Sequence, residues 1–561
     1  MPNSQATTSQ ESAARLQESG FELYMEQRQW GLIGRFLITL EQLMALFFGG
    51  GYAFVRQKKA EGQGNTLWIL FLRFILIFPW PFLNKQIIAQ PFPVQFRLRL
   101  EYLGPTYIKF GQILSLREDL LPKPITDELK RLLDRLPAVS YERLKELIVE
   151  DLQRPLNEMF AWIDPVPLGS ASLGQTHRAR LVTKEKVVIK VLKPGVSRMV
   201  HVDTQLLRFF GRFLQMFLGR YNPQRLINEF SNYTLREVDL RFEADNAETF
   251  AANFKDEPDI RFPRIYRQFS SHNILCMEYF KGIKPDGGAA RVLTQGQKEK
   301  VIELGIRSII EMIFRDGFFH ADLHPANIVI FKDGDVGFID LGMVGKFDSE
   351  MRKRMFYYFF SLVMGDPSSA ARYLSSLAIP AKGTDIDGFR RSVADLYSRW
   401  LRNPNFSEFS MAQVILQSIL MAGRYRIQYP GEIILMVKAL VTVEGVANLL
   451  EPSINIPAAS RKPIQGILID QFNPISIMKN IILVLPEMVD IISISPLILS
   501  EGLKSIETNL KRTSDGQINS IRNSILAGFC LMAGVILVVS GGPWWVWGIL
   551  FLLAVILALR K

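Results

Sequence analysis

Hydrophobic positions are spread unevenly along this chain, and its C-terminal end carries the clearest pattern. Residues 525–559 contain no charged side chain. At about 1.5 Å per helical residue, that run overshoots one untilted crossing of a ~30 Å hydrocarbon core. Gly541, Gly542 and Pro543 divide it into Ile525–Ser540 and Trp544–Leu559. The division predicts a helical hairpin whose segments are slightly short, accommodated by membrane thinning or by flanking polar residues. Lys511, Arg512 and Arg522 precede it, and Arg560 and Lys561 follow it, so both ends are expected on the cytoplasmic-type side. A buried hairpin of a soluble protein is the alternative; Trp544, Trp545 and Trp547 beside the turn fit an interfacial belt and favour the membrane. Leu67–Phe82 is also apolar but is broken by Arg73 and Pro79, which predicts an interfacial or core-packing helix rather than a span. Residues 472–500, with prolines at 474, 486 and 496, predict short helices on a membrane or against the body. Between these stretches, residues 96–460 alternate helical and strand periodicities, as an α+β unit does, with no internal repeat.

Composition narrows the partners. The chain has 561 residues, 48% of them hydrophobic, and a formal net charge of +11. That charge suits an anionic membrane surface or nucleotide phosphates. No long basic block and no zinc-finger or RNA-binding motif accompanies it, so nucleic acid is not expected as a partner. Two cysteines, Cys276 and Cys530, do not make a disulfide framework. The Ser/Gln-rich start lacks the basic-then-apolar order of a secretory signal and is expected to be disordered.

The candidate chemistry lies between His320 and Gly342. An apolar helix over roughly 299–314 leads to the turn Asp316-Gly317, then to Asp322 and, five residues on, Asn327. A strand at Ile328–Phe331, a turn at Asp333-Gly334-Asp335 and a strand at Val336–Ile339 lead to Asp340-Leu341-Gly342. Protein kinases hold nucleotide-bound magnesium with an Asp, an Asn at +5 and an Asp at +18 joined by such a hairpin. Mg²⁺ takes hard oxygen ligands and keeps several waters, so one or two carboxylates, an amide oxygen and phosphates suffice. Gly342 is expected to turn the chain away from the metal.

Upstream, Val187–Val191 is an apolar strand with Lys190 in its interior. A buried ammonium needs partners. Lys190 either snorkels to water or, given the downstream set, meets phosphates and a helix glutamate. Before it, Gly169, Ser170, Ala171, Ser172 and Gly174 are small residues around Leu173, followed by Gln175. The small residues allow close approach to phosphates, although the stretch is not GxGxxG.

Together these residues resemble the UbiB family of atypical kinase-like proteins, also called aarF-domain-containing kinases. Five features carry the resemblance. Leu103–Gln112 with Ser115–Pro122 is similar to the family's KxGQ signature, and the loop at 169–175 to its Ala-rich loop, with Gly169 and Ser170 where alanines are usual. Lys190 is the third feature, and Glu237-Val238-Asp239, like the family's ExD element, is the fourth. The fifth is His320–Gly342, with His324 where protein kinases have lysine.

The resemblance implies a bilobal protein-kinase-like fold with a helical N-terminal extension and a C-terminal transmembrane hairpin. The expected boundaries are 1–95 (disordered or helical), 96–165 (signature extension), 166–282 and 283–460 (the two lobes), 461–522 and 523–561. It implies ATP and Mg²⁺ as cofactors, with Asn327 and Asp340 on the metal and Asp322 orienting or deprotonating an acceptor. Lys190 would lie on phosphates with Glu243 as its partner, and Gly169, Ser170, Ala171, Ser172, Leu173, Gln175 and the hinge residue Glu278 would lie around the nucleotide. Lys109 and Gln112, on one face of the signature helix, would lie over the cleft, with Lys109 drawn to Glu237 and Asp239. On 100°-per-residue geometry a continuous helix over 229–250 would point Glu237 and Asp239 apart. The implied function is a membrane-bound ATPase supporting isoprenoid quinone biosynthesis or lipid handling. Its partners would be membrane lipids, quinone precursors and quinone-biosynthesis enzymes at a bacterial inner, thylakoid or plastid membrane. An active protein kinase and a nucleotide-gated lipid-binding scaffold without turnover are the alternatives.

Overall fold

The computed structural model describes residues 31–60, 85–115, 121–132, 138–171, 173–218, 222–286, 288–380, 383–402, 410–451, 456–471, 518–539 and 543–559. The expected disordered start, the Leu67–Phe82 helix and the short helices of 472–500 lie outside the described residues. The chain divides into two compact units, residues 1–467 and 468–561.

In the larger unit, one lobe is built on a five-stranded antiparallel sheet. Its order is Phe160–Ile163, Gly174–Leu181, Lys186–Leu192, Ile274–Glu278, and Gly169–Ser170 also pairs with Gly174–Leu181. Lys186–Leu192 is an almost unbroken apolar run because both of its faces are covered. Val187, Ile189 and Val191 pack with Leu144 and Ile148 of the helix Tyr141–Leu152. Val188 and Leu192 pack with Val196, Leu240 and Ala244. Strand alternation puts Lys190 on this second face, toward the helix Leu240–Asn253. The lobe begins ahead of residue 166: Phe160 pairs with Leu181 and Ile163 with Ala179, so the first strand belongs to the sheet.

The other lobe is mostly helical. Helix Gln295–Ile310 opens with a capping box from Thr294 and Gln297. It passes through a widened turn at Glu311–Asp316 into left-handed Gly317, at φ 64°, which delivers the strand Phe318–His320 to the lobe interface. That strand pairs with Val344–Lys346. Ile328–Ile330 and Val336–Phe338 form the expected hairpin, joined in parallel by Ile260–Arg261. Helices including Ser349–Val363, Ile386–Arg402 and Gly431–Leu450 complete the lobe.

Residues 1–95, expected to be disordered or helical, contain a long helix, Leu32–Ala60, whose place the sequence reading did not give. Its stretch Leu32–Arg56 is long and apolar enough to cross a membrane, yet its polar residues bind the body. Arg35 donates to Asp203 at 2.7 and 2.9 Å and to the Leu103 carbonyl at 2.5 Å. Thr39 Oγ1 lies 3.3 Å from the Tyr107 hydroxyl, and Gln42 accepts from Arg99 at 2.9 Å. Ile33, Leu37, Met44 and Phe47 stay exposed on its outer face. Gly431–Leu450 passes the same length test, but it is a lobe helix: Glu444 accepts from the Ala412 N–H and Lys438 reaches Asp322.

Among the described residues, the smaller unit contains the helices Ile518–Val539 and Trp544–Leu559, which pack on each other. Ala527 and Ala554 are buried, and a Cβ at Gly534 would lie 2.8 Å from the Phe551 ring. Close approach at small residues is how apolar helices associate when solvent does not drive them together. The first helix starts at Ile518, ahead of the apolar run, and the apolar cores Ile525–Val538 and Trp544–Ala558 are both short.

Candidate nucleotide site

A cavity of about 950 Å³ lies between the sheet lobe and the helical lobe. Its floor is the 320–342 segment. His320 is fully buried, and burial holds its imidazole below the ordinary range. Its Nδ1 accepts the Asp322 N–H at 3.1 Å, so the ring proton sits on Nε2, 3.3 Å from the Ile339 carbonyl. One neutral histidine thus ties the loop to the last strand of the hairpin. Asn327 Nδ2 donates to the Asp322 carbonyl at 3.0 Å, and the Asn327 carbonyl accepts from the Ile339 N–H at 2.9 Å. These bonds bring Asn327 beside Asp340 and leave the Asn327 amide oxygen as its acceptor. Asp340 sits in the left-handed region at φ 56°, which Asp tolerates better than most residues. The turn therefore falls on Asp340 itself and not on Gly342, whose part is close packing: a Cβ there would lie 3.4 Å from Glu243 Oε2.

Opposite the floor, Lys190 Nζ donates to both Glu243 oxygens at 3.1 and 2.8 Å and to Asp340 Oδ1 at 3.0 Å. Burial works against the ammonium, but Asp340 and Glu243 outweigh it and hold Lys190 above its ordinary range. The carboxylates divide the charge unequally. Burial pushes Glu243 up to about 7, against the pull of Lys190. Lys190 holds Asp340 down to about 2, and Asp340 leaves 51% of its side chain exposed. Asp340 is thus the stronger acid of the two and Glu243 the weaker. An exposed carboxylate beside an amide oxygen, facing an ammonium, is a donor set that suits Mg²⁺ bound to phosphates.

The signature helix Pro105–Ser115 roofs the cavity. Tyr107 and Leu114 are buried, and a Cβ at Gly111 would run into the Leu132 and Leu100 side chains. Lys109 Nζ meets Glu237 at 2.6 Å on the cavity wall, and Gln112 donates to the Leu132 carbonyl at 3.4 Å.

Residues 131–374 match the ABC1 atypical kinase-like domain, and residues 399–455 match the UbiB helical domain. The chain is 31% identical over 423 residues to a probable protein kinase UbiB of Azotobacter vinelandii, covering 74% of this chain and 78% of that protein. The chain belongs to the UbiB family of atypical kinase-like proteins. It is also 32% identical over 369 residues to an uncharacterized protein of Synechocystis, covering 65% of this chain and 63% of that protein. With the Arabidopsis thaliana protein named Activity of BC1 complex kinase 7, chloroplastic, it is 31% identical over 352 residues, spanning 62% of this chain and 51% of that protein.

Against the UbiB pattern, most of the expected residues line this one cavity: Lys109, Gln112, Gly169, Ser170, Ala171, Leu173, Lys190, Glu237, Asp239, Glu243, Glu278, Asn327, Asp322 and Asp340. Ser172 lies outside the described residues. Gln175 does not belong with them. It is 2% exposed and bonds the Val139 N–H at 2.7 Å and His177 at 3.1 Å on the other side of its strand. Asp239 is not drawn to Lys109 either. The helix breaks after Glu237, and Asp239 caps the next one, accepting from the Arg241 N–H and side chain. That break answers the facing problem of Glu237 and Asp239, because no continuous helix joins them. The small-residue loop is a tight hairpin whose Ala171 N–H is taken by the Gly174 carbonyl at 2.9 Å, with Lys193 donating to the Ala171 carbonyl at 2.5 Å.

Two lysines on the cavity wall were not foreseen. Lys284 donates to the Ala326 carbonyl at 2.6 Å, and burial lowers its pKa. Lys438 donates to Asp322 at 2.8 Å from the middle of Gly431–Leu450. The signal for Lys438 was a lone ammonium in the interior of an apolar helix, which needs a partner.

Proposed function

We propose that this protein is a membrane-bound, Mg-ATP-dependent atypical kinase or ATPase that supports isoprenoid quinone biosynthesis or lipid handling. The observation that carries the reading is the trio at the lobe interface, in which one strand ammonium is held 3.0 Å from Asp340 and 2.8 Å from Glu243. Mg-ATP, when bound, would supply an electrophilic phosphoryl group, a diphosphate that leaves with the electron pair of the broken bond, and a cation that neutralises charge. Asn327 and Asp340 would offer the metal an amide oxygen and a carboxylate. Lys190, kept charged and aimed by Glu243, would bind phosphate oxygens. Asp322 would take the proton of an attacking water or hydroxyl.

The roof favours a small acceptor over a protein. Lys109 and Glu237, both on the cavity wall, join at 2.6 Å, and the helix that carries Lys109 would take up room a protein acceptor needs. The quinone or lipid connection rests on the resemblance noted in the sequence, and membrane attachment on the apolar hairpin and its tryptophans. Mg-ATP binding to the full-length protein in nanodiscs, by calorimetry, tests the reading. Asp340→Ala and Asn327→Ala should each weaken Mg-nucleotide binding at least tenfold and abolish hydrolysis. Binding that is unchanged in both, or robust transfer to general protein substrates, would replace it.

A further inference from the structure

The catalytic-type loop carries no lysine. Two residues after Asp322 stands His324, whose Nε2 is 3.7 Å from Asp322 Oδ2, beyond hydrogen-bond reach. The ammonium bound to this aspartate instead comes from residue 438, in the segment matching the UbiB helical domain. Lys438 Nζ donates to Asp322 Oδ1 at 2.8 Å, and the two side chains are 31% and 30% exposed on the same cavity.

Helix Gly431–Leu450 has no reason of its own to carry this charge. Its other cavity-facing residues near Lys438 are Ile434 and Leu435. A lysine between such neighbours costs stability unless a partner offsets it. The pairing is also one-sided: Oδ1 takes the ammonium's hydrogen bond, while Oδ2 lies 3.7 Å from His324 Nε2.

We infer that Lys438 is the positioning residue for Asp322. It takes over from the helical region the place that a loop lysine holds in ordinary kinases. The inference rests on the phosphoryl-transfer reading above. By fixing Oδ1, Lys438 sets the carboxylate plane so that Oδ2 receives the acceptor's proton. No bond to the ammonium forms or breaks. The helical region is thereby part of the reaction site: any shift of Gly431–Leu450 moves Asp322.

The test uses the full-length protein in nanodiscs with Lys438→Met, Lys438→Gln and Lys438→Arg. Three quantities are read: Mg-nucleotide affinity, kcat for hydrolysis, and amide exchange of residues 319–327 without nucleotide. Losing a positioned proton acceptor should lower kcat roughly 10²–10³-fold in the Met and Gln variants. Nucleotide affinity should stay within about threefold, because Lys438 touches neither Lys190 nor Asp340, and loop exchange should rise. Lys438→Arg, which keeps a cation in reach of Oδ1, should recover at least tenfold of the loss. If Lys438→Met does not fold, Lys438→Gln carries the same expectation. Turnover within twofold of wild type, or affinity and turnover lost together in all three variants, overturns the assignment. A wild-type protein that binds no Mg-nucleotide overturns the functional reading as well, so the two failures are distinct.

Discussion

Glu243 offers the sharpest test of the electrostatics, because its charge serves the site at the expense of the fold. It is 5% exposed and shares one ammonium with Asp340. Burial raises its pKa from 4.5 to about 7. A carboxyl group raised in this way contributes stability that is present below its unfolded pKa and is lost as pH rises through its folded one. The window is therefore about pH 4.5 to 7. Above it, holding Glu243 ionised costs roughly 3 kcal/mol, since each tenfold gain in proton affinity is worth about 1.4 kcal/mol. Glu243→Gln keeps the shape and the hydrogen bond to Lys190 but carries no charge. With Asp340 still pairing Lys190, the nucleotide-free fold should gain about 1–3 kcal/mol at pH 8 and almost nothing near pH 4.5, where glutamic acid is itself neutral. At roughly 2–4 °C per kcal/mol, the melting midpoint should rise by several degrees at pH 8 only. The assay is thermal unfolding by tryptophan fluorescence, in EDTA without nucleotide, across that pH range. Turnover should fall in the same variant, since Lys190 loses the anion that aims it, which is the trade between stability and function expected at strained sites. A lower midpoint at pH 8, or the same change at both pH values, would refute the reasoning.

Two further outcomes follow from other parts of the molecule. Arg35→Ala strands Asp203, which is 0% exposed, at a cost of about 3–5 kcal/mol. Amide exchange over residues 32–60 should then rise by at least ~100-fold, and Arg35→Met with Asp203→Leu should restore most of the protection; unchanged exchange in the single variant would sink the anchor. Truncation after residue 517 should move the protein from the carbonate-resistant to the extractable membrane fraction while Mg-nucleotide affinity stays within about threefold, and retention in the resistant fraction would shift the anchor to Leu32–Arg56.

Much of the site was legible because kinase-type chemistry is written in local spacing. Asp322, Asn327 and Asp340 lie on one loop and one hairpin, so a short stretch of chain brings them together. Strand alternation around Lys190 likewise set which face its ammonium would occupy. The tail hairpin could be read from charge-free length and from Gly541, Gly542 and Pro543 alone. Local pattern misled where two backbones had to be compared. Gln175 sits in the right loop, but its side of the strand faces Val139 and His177. Asp239 belongs to a motif, yet a helix break turned it into a cap. Gly342 looked like the turn residue, whereas Asp340 took the left-handed conformation.

What only the tertiary structure decided were the long-range charge pairings that no motif implied. Lys438 and Asp322 are separated by 116 residues and Arg35 and Asp203 by 168. A sequence shows that such groups need partners, because a buried charge without one is costly. Which partner each one finds is set by how whole helices pack, and that depends on side-chain shape across the entire core rather than on any window of the chain.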